Sequence, residues 1–149
     1  MVDVGAKETT ERFAHARALV RMPERAEAAL RAATVAKGDA FTTAQIAGIL
    51  AAKSTANLIP LAHPLPLAHV DVSFAWQARG VLQIDATAST AAQTGVEMEA
   101  MTAAAVAALT IYDMTKSLDK GIAIESIRLV EKRGGKSGTW QLADGGAEA

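Results

Sequence analysis

The 149-residue chain contains no cysteine. A disulfide framework and a thiolate metal site are therefore excluded. Charge of one sign is not in excess either. Fifteen Lys and Arg stand against sixteen Asp and Glu, for a formal net charge of −1, so no global field recruits nucleic acid. The three histidines, His15, His63 and His69, are too dispersed for a helical HExxH zinc site. No apolar run reaches membrane length, because Lys53 and Asn57 interrupt the best stretch. Met1 to Lys7 lack the apolar centre of a secretory leader, and a cytoplasmic protein is expected. Gly134-Gly135-Lys136-Ser137-Gly138 does not follow the GxxxxGK[ST] order between a strand and a helix, which excludes a P-loop.

What is present fits one domain, read over 1–149 and large enough to bury a core without staples. The most informative stretch runs from Gly95 to Lys116. It predicts a helix over roughly Val96–Leu118, stopped by Gly121. Its body is Ala, Val, Leu, Ile and Met, so the helix is expected to be buried. Glu97 and Glu99 near its start, and Asp113 and Lys116 near its end, must then be paired, solvated or used.

Around it, Arg12–Met22 alternates as a strand. Pro23 opens a helix near Glu24–Ala33. A loop centred on Lys37-Gly38-Asp39 leads to a helix near Thr43–Asn57, capped by Thr42 or Thr43. Pro60, Pro64 and Pro66 prevent its continuation. His69–Trp76 and Val81–Ala88 flank Arg79-Gly80 as a hairpin, and Ile122–Lys132 is a last strand before a glycine-rich tail. This order predicts an α+β fold, an antiparallel sheet with helices packed on one face.

Each candidate residue has an ordinary reading beside its functional one. Lys37, in a loop ahead of a helix N-terminus, is placed to hold a phosphate or is simply solvated. His63 sits in the stiff apolar loop Leu61-Ala62-His63-Pro64-Leu65, where it donates to a phosphate, shuttles a proton or is satisfied by backbone. The glycine-rich tail either binds an anion or is mobile. Glu97 and Glu99 suit the positive end of a helix dipole. Asp113 and Lys116, three apart, share a face and can pair, although Asp is a poor choice by propensity inside an apolar helix. Glu97 and Asp113 are 16 residues apart, about 24 Å along a helix. If both ends serve one small ligand, one copy of the helix can hardly do so alone, and two antiparallel copies could bring the Glu end of one beside the Asp–Lys end of the other. The spacing thus predicts an oligomer with shared sites. The alanine run suits close helix contact between copies, and equally a sheet within the chain.

Several segments, in order, resemble the cyclic pyranopterin monophosphate synthase (MoaC) family of molybdenum cofactor biosynthesis. They are Met1-Val2-Asp3-Val4 with Lys7, Lys37-Gly38-Asp39, Ile46-Ala47-Gly48-Ile49, Leu58-Ile59-Pro60-Leu61 with His63-Pro64-Leu65, Thr94-Gly95-Val96-Glu97-Met98-Glu99-Ala100, Val106 to Met114 with Lys116, and Gly134 to Gly138. Ala62 stands where the family commonly has Cys, and Gln93 where it often has Lys. The family's short extension before Met-Val-Asp-Val is not part of this sequence. The resemblance implies a ferredoxin-like α+β subunit in a homohexamer, a trimer of dimers, with sites at subunit interfaces. By position it implies Asp113 as the catalytic aspartate, Lys116 as its partner, and Lys37 and His63 as further catalytic-site residues. Leu61, Ala62, His63, Met98 and Glu99 fall on substrate-binding segments, with Glu97, Arg12 and Lys132 as further candidates.

The implied reaction converts 3′,8-cyclo-7,8-dihydroguanosine 5′-triphosphate to cyclic pyranopterin monophosphate and pyrophosphate. Asp113 and Lys116 offer a base and an acid that perturb one another. Lys37, His63, Lys132 and Arg12 can neutralise the leaving pyrophosphate. No cofactor is required, because the atoms rearrange without net oxidation. Magnesium can accompany the triphosphate, but no dedicated metal cage is visible. Two alternatives are an oligomeric nucleotide-binding scaffold and a zinc-dependent cyclohydrolase. The scaffold gains nothing from a carboxylate near an anion, and the cyclohydrolase lacks its usual Cys ligand here.

Overall fold

The structure, a computed structural model, describes residues 1–143. The single-domain reading over 1–149 includes residues 144–149, which lie outside the described residues.

Alternation builds the sheet. In β1 (Thr10–Arg21), Ala14, Ala16, Ala18 and Val20 are fully buried, while the residues between them point to the opposite face. The hairpin β2 (His69–Ala78) and β3 (Val81–Ala92) turns at Gly80, whose φ of +70° is available to glycine at little strain. With β4 (Ala123–Arg133) and β5 (Trp140–Gln141), the strands form one antiparallel sheet in the order β2-β3-β1-β4-β5. Insertion of β3 between β1 and β2 is the split βαβ arrangement of ferredoxin-like folds, here extended by β5.

Four helices, α1 (Glu24–Arg31), α2 (Ala40–Lys53), α3 (Thr55–Leu58) and α4 (Glu97–Thr115), complete the chain. On α4, Ala100, Ala103, Ala104, Ala107, Ala108 and Ile111 are fully buried, and this helix packs on β1, β3 and β4 as well as on α2. The alanine run is therefore used within the chain. Small side chains let backbones approach. A Cβ added at Gly48 of α2 would lie 2.9 Å from the Ala103 carbonyl oxygen and 3.0 Å from Val72 Cγ2. The α2–α4 distance is thus set by the absence of a side chain at 48.

The opposite sheet face is polar. There Asp85 accepts from His15 (2.6 Å), Arg17 (2.8 Å) and Gln83 (2.5 Å). Burial alone would raise its pKa, but the three hydrogen bonds and the Arg17 charge overcome this and hold it at about 2.

Element boundaries differ from the sequence expectations in instructive ways. Neither Thr42 nor Thr43 caps α2. Asp39 does, accepting from the Thr42 N–H (2.9 Å) and hydroxyl (2.7 Å), so the helix begins at Ala40. An ionised side chain three residues before Thr42 is the better acceptor for the orphan N–H groups. The expected helix to Asn57 breaks at Ser54 into α2 and α3. α4 ends at Thr115 rather than Leu118, with Lys116–Leu118 folded as a turn. The glycine-rich segment is a turn joining β4 to the unforeseen β5, and Leu142 N–H still donates to Val130 O (2.8 Å). Gly134, Gly135 and Gly138 carry φ of +103°, +73° and +64°, which lets the chain reverse there. No helix among the described residues is long and apolar enough to cross a membrane.

Candidate functional site

The chemistry-bearing side chains gather in two groups, one at each end of α4. At its C-terminal end, Asp113 lies between two ammonium groups. Lys116 Nζ stands 2.8 Å from Oδ1, one helical turn away. Lys37 Nζ donates to Oδ2 (2.7 Å) and to the Asp113 main-chain carbonyl (2.9 Å). Lys37 reaches there because the α1–α2 loop turns sharply at Gly38 (φ +110°) and is tied down by the Asp39 cap. Lys116 and then Lys37, by hydrogen bond and charge, hold the Asp113 pKa at about 2; Asp113 in turn raises that of Lys116. All three side chains remain about half exposed, so an anionic ligand can reach the lysines from solvent. Asp113 is fully ionised at neutral pH, which makes it a weak base while both lysines hold it.

At the N-terminal end of α4 lies a cavity of about 700 Å³. Leu61, Ala62, His63 and Leu65 form one wall, and Thr94, Gly95, Glu97, Met98 and Glu99 another. The prolines around His63 present this loop in an extended form. Glu99 is 4% exposed and has no side-chain partner among the described residues. Burial raises its pKa, its own backbone N–H opposes this, and the Glu97 charge adds to the rise. The rise favours the neutral form of Glu99, and a neutral carboxyl donates as well as accepts. Together with Leu61, Leu65 and Met98 it suits a planar ring bearing N–H and C=O groups. Glu97 is neutralised by Lys132 of β4, at 2.7 Å. It bends back over Gly95, where an added Cβ would stand 2.7 Å from Glu97 Cδ.

The structure therefore brings Leu61, Ala62, His63, Glu97, Met98 and Glu99 together, with Lys132 attached through Glu97. It separately brings together Lys37, Asp113 and Lys116. His63 belongs to the cavity group and not to the Lys–Asp–Lys group. Arg12 lies outside the cavity lining. It is half-buried at the start of β1, its Nε donating to Ala92 O (3.3 Å), on the same sheet face as Lys132, which lies opposite Ala14. The two ends of α4 face different regions, and one chain does not unite them.

The amino-terminal arm matched the family at Met1–Val4 and Lys7 but received no site role from the sequence. Met1, Val2, Val4 and Lys7 also line the cavity. The arm is shaped by Gly5 N–H donating to Asp3 (2.8 Å) and is held by Gln93 Nε2 donating to Gly5 O (3.3 Å). Its apolar alternation, Val2 and Val4 around Asp3, was the available signal. Among the described residues no group of three or more His, Cys, Asp or Glu could hold a metal ion.

Fold and site define an α+β protein with a Lys–Asp–Lys cluster at one end of α4 and a separate cavity at the other, lined in part by Glu97 and Glu99. A profile of the MoaC family matches residues 1–135, and the chain belongs to that family. It is 58% identical over 144 residues to a cyclic pyranopterin monophosphate synthase of Novosphingobium aromaticivorans, covering 97% of this chain and 91% of that one. Synthases of the same name from Bordetella petrii and Thermomicrobium roseum are 56% and 50% identical, covering 95% and 97% of this chain and 88% and 87% of theirs.

Proposed function

We propose that the protein is a cyclic pyranopterin monophosphate synthase. It converts 3′,8-cyclo-7,8-dihydroguanosine 5′-triphosphate to cyclic pyranopterin monophosphate with release of pyrophosphate, a step of molybdenum cofactor biosynthesis. The observation that carries the reading is Asp113 clamped between Lys37 and Lys116. A protein that only bound a polyphosphate would gain affinity without that carboxylate, whereas a catalyst needs a proton carrier beside the anion.

The substrate's phosphates draw Lys37 and Lys116 away from Asp113. The carboxylate then loses the partners that hold it at about 2 and gains anionic neighbours. Both changes raise its proton affinity, so Asp113 becomes an effective base only with substrate in place. The lysines meanwhile neutralise the charge that grows on departing pyrophosphate. The purine-derived ring lies in the cavity against Met98, with Glu99 on its polar edge and His63 beside it.

Because the two groups sit about 24 Å apart along α4, we place the complete site between subunits, one chain supplying the cavity and another the Lys–Asp–Lys cluster. The assembly is a homohexamer, a trimer of dimers, located in the cytoplasm. The reaction is redox-neutral, so no redox cofactor is required. Magnesium can accompany the triphosphate. The deciding experiment is incubation of purified protein with the cyclic dihydro-GTP intermediate. Equimolar cyclic pyranopterin monophosphate and pyrophosphate support the reading; substrate bound but unchanged overturns it in favour of the scaffold.

A further inference from the structure

The turn after β4 approaches the start of β1 more closely than any side chain would allow. A Cβ at Gly134 would overlap the Glu11 carbonyl oxygen, so that glycine is needed for main-chain passage. Gly135 meets something else. A Cβ there would stand 2.8 Å from Arg12 Cζ and 3.1 Å from Nη2, and would overlap Nη1. The guanidinium thus lies against the Cα of Gly135, while its Nε donates to Ala92 O (3.3 Å) on the other side. Its neighbours are a β-strand carbonyl and a bare backbone, and no carboxylate pairs with it among the interactions described. Arg12 is consequently held in place yet keeps its terminal nitrogens uncommitted. A guanidinium kept so is ready to receive an anion in a fixed orientation.

We infer that Gly135 is a positioning residue: its missing side chain is the seat that aims the Arg12 guanidinium at the substrate's phosphate chain. This rests on the reading that Arg12 contacts the substrate, given above as a sequence expectation. Gly138 supplies a matched control. It is in the same turn with a similar φ, +64° against +73°, but an added Cβ there meets nothing within 4 Å. Alanine at either position suffers the same backbone penalty, and only alanine at 135 meets Arg12.

The test compares Gly135→Ala, Gly138→Ala, Arg12→Ala and the double variant Arg12→Ala/Gly135→Ala for KM and kcat with the cyclic dihydro-GTP intermediate, and for melting temperature. Arg12→Ala and Gly135→Ala are each expected to raise KM about tenfold, the size of one lost charge-assisted hydrogen bond. Gly138→Ala, whose Cβ meets nothing, should keep the parental KM. In the Arg12→Ala background, Gly135→Ala should add less than about twofold, since both changes act through one group. Multiplying effects in the double variant, or an equal KM rise in Gly138→Ala, overturns the inference. An unchanged KM in Arg12→Ala refutes the substrate role of Arg12 instead. If Gly135→Ala fails to fold, the double variant decides: removal of the guanidinium relieves the overlap and restores folding, and a double variant that also fails refutes the seat.

Discussion

Lys37 Nζ bonds both the side chain and the main-chain carbonyl of Asp113, at 2.7 Å and 2.9 Å, across 76 residues of sequence. The contact ties the α1–α2 loop to the end of α4 and places a second cation on a carboxylate already paired with Lys116. In the proposed reaction, proton transfer at Asp113 begins when those two lysines find a better anion.

Asp113→Asn should nearly abolish turnover, by roughly 10²–10⁴-fold, the usual range for loss of a general base. Binding of a non-reactive triphosphate analogue, measured by calorimetry, should be unchanged or tighter, because a negative charge near an anion is removed. Lys116→Ala should lower both rate and affinity. Parental turnover in Asp113→Asn would promote the scaffold reading.

The Asp113 carboxyl should change its proton affinity with ligand. In the free protein Lys116 and Lys37 hold it down to about 2. Carbon NMR of protein labelled at Asp carboxyls should show its midpoint moving upward when the analogue is bound. A midpoint unmoved or lowered by ligand would mean that the lysines never leave, and Asp113 could not serve as the base.

Lys37→Ala and His63→Ala should impair substrate handling while leaving the fold intact. Lys37 is about half exposed, and His63 lines a cavity on a loop, so truncation leaves no packed void. Scanning calorimetry checks this. A melting temperature far below the parent for either variant would make that residue structural.

Light scattering at micromolar concentration should report an oligomer, with a mass fitting six chains. Mixing Asp113→Asn with a second inactive variant altered at Glu99 should restore partial activity, because a mixed assembly contains interfaces whose cavity and Lys–Asp–Lys cluster are both intact. A monomer, or two variants that never complement, would remove the shared-site arrangement.

Acid stability should depend on Asp85. Its folded value of about 2 lies below the ordinary 3.8, so it stabilises the fold above the unfolded value and loses that contribution as pH falls from about 4 towards 2. The size is on the order of 2 kcal/mol. Melting temperature followed from pH 7 to pH 2 should fall less steeply for Asp85→Asn than for the parent, from a lower starting point. Parallel curves would mean that the hydrogen bonds from His15, Arg17 and Gln83 do not distinguish folded from unfolded Asp85.

The order of β1 to β4 with α1, α2 and α4 was legible in the sequence, through local periodicity and through Pro and Gly at element ends, whereas β5 and the break that separates α3 from α2 were not. The Asp113–Lys116 pair was legible as well, since three residues on a helix always share a face. The family motifs marked Leu61–His63 and Met98–Glu99 as substrate-binding segments without saying that they meet; the structure lines one cavity with both. Tertiary structure decided the rest. That Lys37 belongs with Asp113 while His63 sits with Glu99 follows from sheet order and from how closely α2 approaches α4 across Gly48, a distance no local pattern encodes. The same is true of the arm over the cavity and of Arg12 lying on Gly135: both join segments far apart in the chain. Periodicity reports which face of an element is apolar, but only the packed sheet reports which elements meet there.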